Sequence, residues 1–179
     1  MRKKWMICSA VGLGLAFGSL IFAQQDKSSR PSPPAKASCD LGGGKTLTVD
    51  YSSPRTKGRK IYGGLVPYGE VWRAGANEAT SFVTNADLKV GDKVVPAGSY
   101  TMFAIPNPDK WTLVISKKTG EWGVPYPGAD SDLVRTDMKA SKLPSSVENF
   151  TIAFEKTSNG CQMVLDWETT RAMVEVAKK

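Results

Sequence analysis

Histidine is absent from all 179 residues of the chain. That absence excludes Ser-His-Asp and Cys-His nucleophile pairs, histidine-based acid–base chemistry and any metal site that needs an imidazole. Beyond residue 38 there is no internal repeat and no low-complexity tract, and no stretch of the mature chain has a convincing long helical period. What is present is ordinary in bulk: 41% hydrophobic and 23% charged residues, the mix of a soluble globular protein rather than a disordered or membrane-embedded one. The length suits one domain with short extensions.

The first 23 residues read as a secretory signal peptide. Arg2, Lys3 and Lys4 are followed by an uncharged run from Trp5 to Phe22, then Ala23 and the polar Gln24-Gln25-Asp26. Cleavage is expected after Ala23. The competing reading is an uncleaved anchor, since the run approaches spanning length. Its glycines and serines (Ser9, Gly12, Gly14, Gly18 and Ser19) favour the signal peptide. The expected address is the periplasm or the extracellular space, with no stable membrane insertion after cleavage.

Export changes the charge balance. The whole chain has a formal charge of +7, but removing residues 1–23 leaves 21 basic against 17 acidic residues, or +4. Lys27, Arg30 and Lys36 against Asp26 in residues 24–38 leave the remaining domain near +2. A nucleic-acid partner is not expected, because phosphate binding needs a concentrated basic face. Cysteine usage agrees with export. Cys8 leaves with the signal peptide, and Cys39 and Cys161 form an even pair suited to one disulfide in an oxidising compartment. Two separate buried thiols are the alternative.

Residues 24–38, QQDKSSRPSPPAKAS, contain three prolines, four serines and no large apolar side chain. This composition is expected to give a disordered tether. The domain is expected over residues 39–179, a length that buries roughly two-thirds of the unfolded surface. Its periodicity is that of strands. Leu47, Val49 and Tyr51 alternate with polar residues, as do Phe150, Ile152 and Phe154, and Met163, Leu165 and Trp167 alternate with Gln162, Val164 and Asp166. Residues 100–105 and 111–115 form two more candidates joined by Pro106-Asn107-Pro108-Asp109. Residues 81–84 and 172–176 add others, and Ser158-Asn159-Gly160 suits a hairpin. Residues 130–138 are expected to be short helix or irregular. Eight or nine short strands predict an all-β, single antiparallel sandwich or jelly roll.

Alternation fails over residues 50–80. Glycines and prolines interrupt a segment in which Tyr51, Tyr62, Tyr68 and Trp72 sit beside Arg55, Arg59 and Arg73. Long irregular segments in compact domains are often functional. Aromatic rings beside arginines suit sugars, carboxylates or phosphates, through stacking and bidentate hydrogen bonds. The plain alternative is that Trp72 and the tyrosines plug the sandwich while the arginines remain solvated. Four cations in residues 55–60 are likewise compatible with an anionic ligand or with a solvated loop.

The same segment carries a resemblance. Its D-Y-S-x-P, G-R-x-I-x-G and L-V-P-Y-G-x-V-W-R-x-G-A-N-E-A-T runs resemble the bacterial family called domain of unknown function 2911. So do the later V-G-D-K-V-V-P-A-G-S-Y-T-M-F-A-I-P, W-T-L-V-I-S, E-W-G and L-D-W-E-T-T runs. The resemblance covers roughly residues 47–176. It implies an exported, β-rich protein with no assigned activity, and it defines no catalytic residues.

The functional expectation is non-catalytic binding of a carbohydrate or another small envelope component. Tyr51, Arg55, Tyr68, Trp72, Arg73, Asn77 and Glu78 are the candidate ligand residues, with Trp72 stacking and Arg73 pairing with an anionic or hydroxyl-rich group. No cofactor is expected, and nothing in the sequence specifies the oligomeric state. The alternative from another class is a hydrolase using carboxylates from Glu70, Glu78 or Glu121; a purely structural envelope protein is the third reading. Asp130 and Asp132 are weak calcium candidates without a loop pattern to support them. Asn149-Phe150-Thr151 fits a glycosylation acceptor but falls within a strand. Convergence of Tyr68, Trp72, Arg73 and Asn77 on one open pocket would favour binding. Arg73 salt-bridged to a buried carboxylate, with no adjoining cleft, would favour the structural role.

Overall fold

A computed structural model describes residues 26–179, so the expected signal peptide lies outside the described residues. The described chain is all-β. Its strands are β1 (Pro34–Asp40), β2 (Thr46–Ser52), β3 (Thr80–Thr84), β4 (Leu88–Val90), β5 (Lys93–Val95), β6 (Gly98–Ile105), β7 (Lys110–Ser116), β8 (Asp132–Lys156) and β9 (Gly160–Lys178). They form one antiparallel sheet in the order β1-β2-β3-β6-β7-β8-β9-β4-β5.

Two strands are much longer than the expected short ones, with 25 residues in β8 and 19 in β9. Strands of that length are too long for one flat layer in a small domain. The pairing shows how they are accommodated. Residues 139–142 of β8 pair with 170–173 of β9 and residues 151–156 with 161–166, with register breaks on either side of Val147. Glu168, opposite Val147, has a left-handed backbone (φ 54°). Interrupted pairing of this kind bends a hairpin and increases its twist.

The bent tip of the hairpin lies against β1 and β2. The Tyr51 hydroxyl in β2 accepts from the Ile152 amide at 3.0 Å and lies 3.4 Å from its carbonyl oxygen, which it can donate to. Just beyond β2, the Phe150 amide donates to the Pro54 carbonyl and the Thr56 amide to the Glu148 carbonyl. Cys39 of β1 and Cys161 of β9 are joined by a disulfide with a Cα–Cα distance of 6.2 Å, within the ordinary range. The sheet is thus folded over on itself, and its two inner faces make a sandwich-like core. Leu47, Phe82, Met102, Trp111, Leu113, Ile115, Phe150, Leu165 and Trp167 are all buried there.

Most of the alternating stretches became strands. The Pro106–Asp109 turn joins β6 to β7, and Ser158-Asn159-Gly160 closes the β8/β9 hairpin, where the Thr157 amide donates to the Gly160 carbonyl. Two expectations need correction. Residues 34–38 are not tether: β1 pairs along its whole length with β2, from Pro34 opposite Ser52 to Asp40 opposite Thr46. Ala35 and Ala37 pack onto the core despite offering little apolar area, and a proline is tolerated at the start of an edge strand. Residues 130–138 contain only a short 3₁₀ turn, Ala129–Ser131, before β8 begins. Met138 is fully buried there, and Asp137 faces Thr112 across the ladder. No helix among the described residues is long and apolar enough to cross a membrane.

The disulfide links residues 122 apart, so the chain-entropy account assigns it a large share of the stability. Replacing both Cys39 and Cys161 with alanine is expected to cost roughly 2–5 kcal/mol in urea unfolding. A loss well under 1 kcal/mol would show that the cross-link constrains the unfolded chain far less than its span implies.

Candidate functional site

The irregular segment between β2 and β3 owes its shape to an aromatic plug. Trp72 makes two backbone hydrogen bonds of 2.8 Å with Ala104 of β6, which fixes the segment to the sheet. Its indole stacks on Trp167 of β9 (5.8 Å between centroids, 18° between planes) and meets Phe150 edge-on at 4.9 Å. Tyr62 joins the group, edge-on to Trp111 at 4.7 Å. Aromatic pairs at such distances add about 0.5–1.5 kcal/mol each beyond their buried area. The Tyr62 hydroxyl is buried and has no hydrogen-bond partner among the described residues. Burial, and next the charge of Glu168, push that phenol well above its ordinary value.

The W-R-A-G-A-N run then turns sharply. Ala74 and Asn77 both adopt left-handed backbones, with φ of 48° and 56°. For a residue with a Cβ, that conformation costs of order 1–3 kcal/mol and persists only where the surroundings impose it. Thr80 Oγ1 donates to the Ala74 carbonyl, the Ala76 amide to the Ser52 carbonyl and the Trp72 indole to the Gly75 carbonyl. The Asn77 amide nitrogen donates to the Ser32 carbonyl. The E-W-G loop packs onto the turn through Gly123 (φ 82°), where a Cβ would lie 2.9 Å from that of Ala79 and 3.1 Å from that of Arg73. Only glycine allows both the backbone conformation and that approach.

Beside this turn lies a cleft of about 350 Å³. Trp72, Trp167, Leu65, Val66, Val71 and Val124 supply its apolar wall, and Arg59 and Arg73 its charge. Leu65 is 48% exposed and Val124 63%, so the rim is unusually apolar. Arg73 Nη1 donates to the Asn77 carbonyl at 2.7 Å and the Trp122 carbonyl at 3.2 Å, and its guanidinium lies 6.0 Å from the Trp122 ring centre. Arg59 donates to the Thr56 carbonyl from Nε and to the Arg55 carbonyl from Nη2. Neither arginine has a carboxylate within ion-pair distance among the described residues. Partial burial without a counter-charge lowers the Arg73 pKa from its ordinary value.

Of the candidate ligand residues, the structure places only Trp72 and Arg73 in this cleft. Tyr51 is in the core, its hydroxyl used by Ile152, and its edge borders a smaller neighbouring cleft shared with Glu78 and Lys27. Arg55 pairs with Asn149 through backbone and side chain. Tyr68 is 42% exposed and lies over Gly63, where a Cβ would come within 2.6 Å of its ring. Asn77 serves the turn. Arg59, Val124 and Trp167 also line the cleft and are not among the candidate ligand residues, although Arg59 and Trp167 fall in the G-R-x-I-x-G and L-D-W-E-T-T runs.

The three carboxylates of the hydrolase reading stay outside this cleft. Glu70 is exposed, and Glu121 lies 3.5 Å from Lys118. Glu78 accepts from Lys27 at 2.9 Å and from Arg30 through both oxygens at 3.0 Å. These bonds, led by Lys27, hold its pKa near 2, far from the raised value a general acid needs. Asp132 accepts from Tyr126 and Arg135.

The family model described as a protein of unknown function, DUF2911, matches residues 32–176. The chain belongs to this family. Its match begins two residues before β1, in agreement with the inclusion of that strand in the fold. No curated protein and no solved structure matches the chain. Within this DUF2911 domain the distinctive W-R-x-G-A-N run contributes Trp72, Arg73, Gly75 and Ala76 to the cleft lining.

Lys27 and Arg30 latch residues 26–32 onto the domain through Glu78. The Glu78 pKa is lower in the folded state than its ordinary 4.5, so the latch acts fully above about pH 4.5 and is lost as pH falls through about 2. Backbone order in residues 26–32, read by ¹⁵N heteronuclear relaxation, is expected to fall across that window, and at neutral pH in Glu78→Gln. Unchanged order in Glu78→Gln would show that Asn77 and the backbone alone hold the arm.

Proposed function

We propose that this DUF2911 protein is an exported, non-catalytic binder of a small ligand, a carbohydrate or another envelope component, seated in the Trp72–Arg73 cleft. One observation carries the reading. Arg73 lines an open cleft and is oriented by two backbone carbonyls rather than neutralised by a carboxylate. A guanidinium already oriented beside aromatic and aliphatic walls, with donors to spare, has the composition of a ligand site. The volume suits a small molecule, and an indole beside a hydrogen-bond donor suits a ring-bearing one.

Export is supported by the charged-then-apolar start of the chain and by the Cys39–Cys161 disulfide, which persists in an oxidising compartment. The ligand would be met in the periplasm or outside the cell, with nucleic acid and membrane insertion playing no part. Trp72 lines the cleft while its contacts with Trp167 and Phe150 secure the fold, so Trp72→Ala is a poor probe of binding.

A panel of muropeptides and neutral or uronic-acid oligosaccharides, titrated against the mature chain by tryptophan fluorescence, tests the proposal. At least one class is expected to bind. Ala76→Phe, which fills the cleft, is expected to abolish that binding, and Arg73→Gln to weaken it roughly 10–100-fold, the effect of one charged hydrogen bond. Thermal melts within a few degrees of the parent would separate lost binding from lost fold. Binding that survives Ala76→Phe would move the site elsewhere, and a silent panel would remove saccharides and muropeptides as the ligand class.

A further inference from the structure

Resting on the cleft reading above, we propose that the ligand is an anionic amphiphile: a carboxylate or phosphate head held between Arg59 and Arg73, with an apolar body on the Leu65–Val71–Val124 wall. Three observations combine to select this class.

The first is the balance of donors and acceptors. Among the described residues, the charged side chains lining the cleft are two arginines, with no carboxylate and no side-chain amide. A neutral sugar both donates and accepts at its hydroxyls, so it would leave donors facing a wall with few acceptors. An oxyanion only accepts, and it matches guanidinium geometry through paired, charge-assisted bonds.

The second is pre-orientation with spare capacity. Arg73 uses Nη1 for both carbonyl bonds, which leaves Nε and Nη2 without a protein acceptor among the described residues. Arg59 uses Nε and Nη2, which leaves Nη1. Glu148, whose carboxyl feels the charge of Arg59, is already engaged by Thr56 Oγ1 and the Lys57 amide. The carbonyls therefore fix both guanidiniums at no cost in charge, and donors remain for a ligand. Arg73 retains an uncompensated, partly desolvated charge, which an anion would relieve.

The third is the rim. Leu65 and Val124 are large apolar side chains left 48% and 63% exposed at the cleft mouth, and Trp122, 53% exposed, flanks Arg73. Exposed apolar side chains clustered around a charged pocket mark a binding surface better than scattered ones do. A small hydrophilic anion would leave this wall wet. An anion carrying an alkyl or aromatic body would cover it.

Isothermal titration of the mature chain with decyl phosphate, decyl maltoside and inorganic phosphate tests the class. Decyl phosphate, kept below micelle formation, is expected to bind at least tenfold tighter than either of the others. Its affinity should fall about tenfold or more in Arg73→Gln and in Arg59→Gln, vanish in Ala76→Phe, and weaken between about 0.05 and about 0.5 M salt. Phosphatidylglycerol vesicles distinguish the source of the head group. Co-sedimentation lost in both arginine variants would support a membrane-borne ligand, and no co-sedimentation alongside decyl phosphate binding would support a free one. Decyl maltoside binding as tightly as decyl phosphate, unaffected by the arginine variants but abolished by Ala76→Phe, would overturn the anionic class and leave the cleft reading standing. Decyl phosphate binding that survives Ala76→Phe would overturn the site. If none of the probes binds and the saccharide panel is also silent, both readings fall together.

Discussion

The stack of Trp72 on Trp167 is the contact on which the rest of the molecule depends. Trp72 belongs to a glycine-rich segment with little capacity to order itself, and Trp167 to the far arm of a hairpin too long to remain in one layer. Each helps to fix the other, beyond the backbone bonds of Trp72 to Ala104 and the ladders that β9 makes with β8 and β4. The two indoles, with Tyr62, Trp111 and Phe150, fill the gap that opens where the sheet folds over. Because Trp72 is also tied to Ala104 by two backbone bonds, the plug fixes the loop to β6 as well as to β9. The Trp167 indole donates in turn to the Glu148 carbonyl, next to the bend of β8.

That anchoring explains how a loop can hold charge in a defined place. A guanidinium on a mobile loop loses side-chain entropy on every encounter with a ligand. Here Arg73 follows Trp72 directly, and its partners are carbonyls of the same turn and of the E-W-G loop, which Gly123 brings close. The left-handed backbones at Ala74 and Asn77 are the local cost of that geometry, offset by the aromatic packing beneath. Fold and site are therefore coupled at one residue boundary. Position 72 contributes mainly packing, and position 73 mainly unspent hydrogen-bond donors.

The sequence disclosed the strands better than the way they are arranged. Period-two patterns at Leu47–Val49–Tyr51, Phe150–Ile152–Phe154 and Met163–Leu165–Trp167 reflect burial on one face, which composition reveals directly. The continuity of β8 through residues 132–156 was hidden because its middle, with Pro144, Ser145 and Ser146, has the composition of a loop; it is the bend, where pairing with β9 lapses. β1 was hidden for a different reason. Its residues are small and polar, and the strand is stabilised by a full ladder with β2 and the Cys39 cross-link rather than by apolar area. Cleft residues were only partly legible. Trp72 and Arg73 stood out by chemistry, Arg59 shared the segment's arginine chemistry with nothing to separate it from Arg55, and Val124 joins them through tertiary contact alone. Tyr51 had the same chemistry as a ligand residue and went to the core, because strand position decides burial before side-chain type does.

The W-R-x-G-A-N-E run can accordingly be divided by what each residue has left to offer. Trp72 is committed to the plug and Gly75 and Ala76 to the floor of the cleft, Asn77 bonds Ser32, and Glu78 is neutralised by Lys27 and Arg30. The last pairing also changes the meaning of the basic N-terminal segment. Two of its cations are used against Glu78, at the edge of a different cleft, so they neither add to nor cancel the charge of Arg59 and Arg73. Of the run's polar side chains, Arg73 lines the cleft with donors that none of the described residues uses. The proposed anion would therefore meet Arg59 and Arg73 as the charged groups among the described lining residues, with Leu65 and Val124 exposed at the rim to meet its apolar body.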